Sequence, residues 1–232
     1  MFVLPPARAI ELAQDVADPM FIERLGDFTS RTTLDAGKYF QFHQIASYGF
    51  SNRLSAAVDV RYRAGAEEEK DGFSNLGIMG TFRAGEGNTG ATDILFGFGF
   101  GGQGVVPHYS DEVYSVGLRT GRQWTGATLA VTILTNWIFK EGEVEEINGV
   151  DRSYGGGIAY IDLSPEAYFR IKDDWSLGLG ATLRKVTDGR LDQQWVNLML
   201  GKTFGQTGWF LNTAYEIESQ DIRVGATLNM LF

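Results

Sequence analysis

The feature that most restricts this chain is a two-residue alternation that runs almost without a break from residue 36 to the end. Leu54, Ala56, Val58, Val60 and Tyr62 alternate with Ser55, Ala57, Asp59, Arg61 and Arg63. Trp175, Leu177, Leu179, Ala181 and Leu183 alternate with Ser176, Gly178, Gly180, Thr182 and Arg184. Successive side chains of a strand point to opposite faces, so such rows give every strand one apolar face and one polar or small face. The pattern predicts strands at 21–33, 37–48, 54–64, 73–83, 92–102, 113–123, 127–138, 157–171, 175–186, 194–204, 208–218 and 222–232, twelve in all. Only residues 10–19 suit a helix. Pro165 has no N–H for a ladder bond, so a bulge is expected there, or a strand that begins after it.

The connections between these strands are of two kinds, and they alternate along the chain. One set is short: 49–52, 124–126, 172–174 and 205–207, with 85–91 beside them. The other set is mostly longer and acidic: 64–72, 103–112, 141–152 and 187–194, with 219–221 the short exception. Strict alternation puts the two sets at opposite ends of an up-and-down meander. The fold expected is all-β: a single closed antiparallel up-and-down transmembrane β-barrel of about 12 strands.

Four features turn the apolar face toward lipid rather than into a core. The strands match the roughly 9–11 residues that a tilted strand needs to cross a bilayer. Their polar face carries charge in mid-strand (Asp59, Arg61, Arg119), which a wet lumen tolerates. Aromatic residues collect at strand ends: Trp124, Trp175 and Trp209 at short turns, Trp137, Phe139 and Trp195 near long loops, as an interfacial girdle requires. An even strand count with short turns at one end completes the pattern, and closure removes every unpaired edge, which backbone in lipid demands.

Composition narrows the functions. With 30 glycines and only 5 prolines the chain suits tight turns and many strands. Its net charge of −9 argues against a nucleic-acid partner. There is no cysteine, which removes disulfides, thiol nucleophiles and thiolate metal sites. The glycine-rich stretch at 97–104 continues an alternating strand and no helix follows, so it is no phosphate loop. No cofactor is expected. The start reads as the end of an apolar segment closed by Ala7-Arg8-Ala9, the form of a secretory cleavage site. The expected organisation is a signal-peptide remnant at 1–9, a periplasmic or lumenal segment at 10–20, and the barrel at 21–232.

The last eleven residues, 222–232, resemble the C-terminal assembly signal of bacterial outer-membrane β-barrel proteins. The matching residues are Arg223, Gly225, Leu228, Met230 and the terminal aromatic Phe232. The strand–turn–strand at 47–63 looks like a hairpin of the same superfamily. The resemblance implies an outer-membrane location and a last strand read by the barrel-assembly machinery. It implies that the C-terminus is periplasmic and the acidic loops extracellular, near outer-membrane lipids and lipopolysaccharide. Glu67-Glu68-Glu69 and Glu145-Glu146 are then either divalent-ion contacts beside lipopolysaccharide phosphates or plain solvated loop charge.

Three functions remain open. The first is a narrow porin-like channel for small solutes or ions, since twelve strands lie between barrels filled by side chains and barrels with wide aqueous pores. Its lumen would be lined by Asp59, Arg61, Arg63, Arg119, Asp162, Glu166, Arg170, Arg184, Glu216 and Arg223, with Glu218 also inward. His43 is expected among them. The second is a structural barrel whose lumenal charges pair and plug it. The third is a lipid acyl-hydrolase. Pro107-His108-Tyr109-Ser110 resembles the His-x-Ser of outer-membrane phospholipase A and lipid A deacylases, with Asp111 or Glu112 to orient the imidazole. The asparagine that follows the serine there is Asp111 here, and no other part of that signature is present. No hydrolysis is therefore expected.

Overall fold

The computed structural model describes residues 15–65, 72–100, 112–139, 144–147, 150–153, 158–186 and 193–232. Twelve strands close into one antiparallel barrel: β1 (Phe28–Ala36), β2 (Phe40–Ser51), β3 (Leu54–Ala64), β4 (Gly72–Glu86), β5 (Gly90–Phe100), β6 (Glu112–Trp124), β7 (Ala127–Phe139), β10 (Ile158–Arg170), β11 (Trp175–Val186), β12 (Gln193–Phe204), β13 (Thr207–Glu216) and β14 (Ile222–Leu231). Each pairs with its neighbours in chain order, and β1 pairs with β14 to shut the seam. Between β7 and β10 lies a separate two-stranded sheet, β8 (Val144–Ile147) with β9 (Val150–Ser153). That stretch reads as loop by charge, yet its Asn148-Gly149 is a strong hairpin dipeptide between two short β-favouring runs.

Alternation fixes the faces. Ile78, Leu118, Leu179 and Leu211 are exposed on the outer wall, as are Leu54 and Val58. Leu228 shares that wall with its partner Trp209. Lipid satisfies these side chains in place of a core. On the inner wall the buried residues are largely polar: Asp93, Asn136, Gln123 and Thr128 are almost wholly enclosed. A smaller apolar cluster, Val113, Ile138, Tyr160 and Val186, packs inside the barrel toward the long-loop end.

Three expectations about elements are corrected. Residues 21–27 are not strand: Asp27 closes a turn on Arg24 through backbone and carboxylate, and Gly26 has φ +87°. The non-strand N-terminal segment thus runs on past residue 20 to the start of β1. Pro165 makes no bulge. Leu163 faces Leu183 and Glu166 faces Gly180, three steps on each strand, so only ladder pairs are lost while the register holds. Its ring fits an extended backbone, and Pro165 still pairs with Val131 on the other side. Register shifts fall elsewhere, at Gly49/Ser51, Arg61/Tyr62 and Arg83/Gly85. Finally, Glu218 lies beyond the end of β13 and is exposed.

Candidate functional site

The lumen is divided by the N-terminal segment. Residues 15–27 enter the barrel at its short-turn end and are tied to the inner wall at every step. Asp93, fully enclosed on β5, holds Arg83 of β4 at 2.8 Å and Arg119 of β6 at 2.7 Å. With their remaining N–H groups Arg83 donates to the Met20 carbonyl at 2.6 Å and Arg119 to the Phe21 carbonyl at 3.1 Å. Two guanidinium groups thus share one carboxylate and spend their other donors on the backbone of the segment. The Met20 side chain fills a pocket against Ala91 and Ala130, and a Cβ on Gly121 would strike its sulfur. At Gly49 the approach is closer still: a Cβ there would overlap the Arg24 carbonyl, and Gly26 donates to the Gly49 carbonyl at 3.0 Å.

The described tip of the segment, residues 15–19, is held by its own carboxylates. Asp18 is buried and accepts from Thr128 at 2.6 Å, Gln123 at 3.3 Å and Arg170 at 3.4 Å. Asp15 accepts from the Tyr168 hydroxyl and from Thr203 at 3.3 Å. Arg31 donates to the Val16 carbonyl at 2.6 Å and to Asn229 at 3.2 Å.

Above the tip, toward the long loops, the lumen opens into a cavity of about 1050 Å3 that reaches down to Ala17 and Pro19. Among the described residues its wall carries six basic side chains (Arg31, Lys38, Arg61, Arg63, Arg184, Arg223) against four acidic ones (Asp35, Glu166, Glu216, Asp221). Three of the arginines are paired with aspartates, Arg223 with Asp221 at 3.4 Å among them. Arg184 pairs with Asp162 at 2.7 Å, and Arg61 lies 3.4 Å from Asp59, which also meets His43 at 3.0 Å. Three stack on aromatic rings: Arg223 over Trp195 and Tyr39, Arg63 over Tyr39, and Arg184 over Tyr160. Stacking fixes the plane of each guanidinium.

The residues singled out from sequence therefore divide into groups. Arg61, Arg63, Glu166, Arg184, Glu216 and Arg223 line the cavity, with Asp59 and Asp162 just behind. Arg119 and Arg170 face inward but serve the segment rather than the open cavity. Trp195, expected in the lipid girdle, instead faces the lumen; it pairs with Thr182 and Glu216 and sits under Arg223. Its parity with Asn197 carried that signal. Arg83, Asp93, Asp15 and Asp18 were missed; inward parity marks the first two, whereas no periodicity marks the others. Gly225 faces Asp35 across the seam, where a Cβ would strike the carboxylate. Phe232 exchanges backbone hydrogen bonds with Phe28 at 2.8 and 3.2 Å, and their rings lie 5.7 Å apart. His108, Ser110, Asp111 and Glu67-Glu68-Glu69 lie outside the described residues, while Glu145-Glu146 fall on β8 rather than in a loop. Among the described residues no cluster of three metal-binding side chains occurs.

No family model matches the chain, and no curated protein sequence matches it. Solved structures do. The NanC porin superposes with a TM-score of 0.67 at 9% identity, over 88% of this chain and 98% of that one. The KdgM porin gives 0.64 at 11% identity, over 87% and 98%. The COG4313 outer membrane channel from Pseudomonas putida F1 gives 0.58 at 7% identity, over 91% and 97%. Fold and lumen together define the class: a closed, twelve-stranded antiparallel β-barrel, the fold that these two porins and this channel share.

Proposed function

We propose that this protein is a narrow porin-like channel of the outer membrane that passes small solutes, anionic ones by preference. The observation that carries this reading is the cavity of about 1050 Å3 with six basic and four acidic side chains on its wall among the described residues, in a chain whose net charge is −9. A wall richer in arginine than its surroundings lowers the electrostatic barrier to anions inside a narrow enclosure. A KdgM porin has been solved in complex with disordered oligogalacturonate, a chain of carboxylate-bearing sugars, which supports the same sign of selectivity.

The test is the reversal potential across a planar bilayer in a salt gradient. Wild type is expected to favour anions. Replacing both Arg61 and Arg184 by Ala strands Asp59 and Asp162 without their cations, so selectivity should move toward cations. Conductance steps with no change in reversal potential would remove these arginines from the permeation path. The reading includes export into a Gram-negative envelope behind a secretory leader ending near Ala9. It also includes contact with outer-membrane lipids and lipopolysaccharide, and insertion by the barrel-assembly machinery. It assigns no catalysis: purified protein with calcium should release no fatty acid from phospholipid or lipid A. Hydrolysis abolished by His108→Ala and by Ser110→Ala would make the protein an enzyme instead.

A further inference from the structure

The wall groups that hold Asp15 and Asp18 come from one continuous arc of the barrel. Gln123 is on β6, Thr128 on β7, Tyr168 and Arg170 on β10, and Thr203 on β12, with Ser176 of the intervening β11 lying 2.7 Å from the Tyr168 hydroxyl. All five groups that touch the two carboxylates are donors: an amide, two aliphatic hydroxyls, a phenol and a guanidinium. Among the described acids of this arc, Glu166 stands an inward position above Tyr168 and faces the cavity instead, and Asp162 higher on β10 is paired with Arg184. A donor arc of this kind receives carboxylates whatever chain they belong to. The tip that occupies it, residues 15–19, carries two acids and no base. It also forms the floor of the open cavity, at Ala17 and Pro19. Below the tip the attachment changes character. Met20 and Phe21 are fixed through the enclosed Arg83–Asp93–Arg119 group and the Met20 pocket, so the tip has an anchored base to turn about.

Resting on the channel reading above, we propose that this arc is a carboxylate-binding site in the permeation path. At rest the chain's own Asp15 and Asp18 fill it and close the short-turn end. A solute bearing carboxylates competes for the same donors, frees the tip, and so opens its own exit. The gate answers to the chemistry of the cargo, because the latch is a copy of the cargo's charged groups.

The experiment is single-channel recording with succinate and its uncharged analogue succinamide at matched concentration and ionic strength. Succinate should raise the open fraction of wild type several-fold, and succinamide should leave it unchanged. Asp15→Asn with Asp18→Asn should be open without either. Because that double variant is able to fail at assembly, a second test uses the absence of native cysteine. Asp18→Cys with Thr128→Cys places two thiols where a 2.6 Å hydrogen bond now joins the pair. When oxidised, this variant should be shut and deaf to succinate; when reduced, with the Asp18 carboxylate gone and only Asp15 left to hold the tip, its open fraction should rise above that of wild type even without succinate. Equal effects of succinate and succinamide, or gating indifferent to the disulfide, overturn the proposal. A variant lacking residues 15–19 that inserts yet shows no conductance steps overturns the channel reading itself, and this inference with it.

Discussion

Asp93 carries more of the lumen's organisation than any other single side chain described. It is enclosed, it pairs with both Arg83 and Arg119, and through them it positions the carbonyls of Met20 and Phe21. Removing one partner of a buried ionic group leaves uncompensated charge, at a cost of about 3–5 kcal/mol. Asp93→Ala is therefore expected to lower the urea midpoint of the folded barrel, and to increase protease access to residues 15–27 before the barrel itself unfolds. Asp93→Asn keeps a carbonyl acceptor and should lose less. Inward parity made Arg119 legible as a lumenal residue. Its task was not legible, because the groups it joins are 26 and 98 positions away in the chain. Trp195 teaches the opposite lesson. Its neighbours Val196, Leu198 and Leu200 on one face and Met199 on the other blur the alternation, and only Asn197 betrayed the side on which it stands.

The last strand is where sequence pattern and structural role coincide. Ile222, Val224, Ala226, Leu228 and Met230 share the outer face, and β14 pairs with both β13 and β1. Phe232 finishes the seam through two backbone hydrogen bonds and a ring contact to Phe28. An aromatic pair of this kind contributes about 0.5–1.5 kcal/mol beyond its buried area. Phe232→Ser should slow insertion and reduce the heat-modifiable folded form in cell envelopes. Unchanged folded yield would show that the terminal ring takes no part in closure. Strand positions were readable to within a few residues because each strand must cross the same apolar slab. The exceptions have local causes. Residues 21–27 alternate weakly and end in a turn that Gly26 makes accessible. β8 and β9 pair only with each other, and their acidic side chains hid a hairpin behind the composition of a loop.

At the scale of the whole molecule the barrel is held by opposite demands on its two walls. Charge on the outer wall is penalised according to depth, by about 2–4 kcal/mol for arginine at the bilayer midplane and far less near the interfaces. Leu179→Arg, outward and central on β11, should lower the unfolding free energy of barrels refolded into lipid bilayers by roughly that amount. Thr182→Arg, inward on the same strand, should cost much less; equal losses would mean that Leu179 does not face lipid. The sequence by itself determined that the chain makes twelve barrel strands, which face of each is apolar, and that lipid rather than a core receives that face. Side-chain direction in a strand is a local property with a period of two, and every strand repeats it. Only the tertiary structure decided what fills the lumen. Asp18 meets Thr128 across 110 residues and Asp15 meets Thr203 across 188. Those distances along the chain collapse only when β1 and β14 close the ring around a segment that has no periodicity of its own.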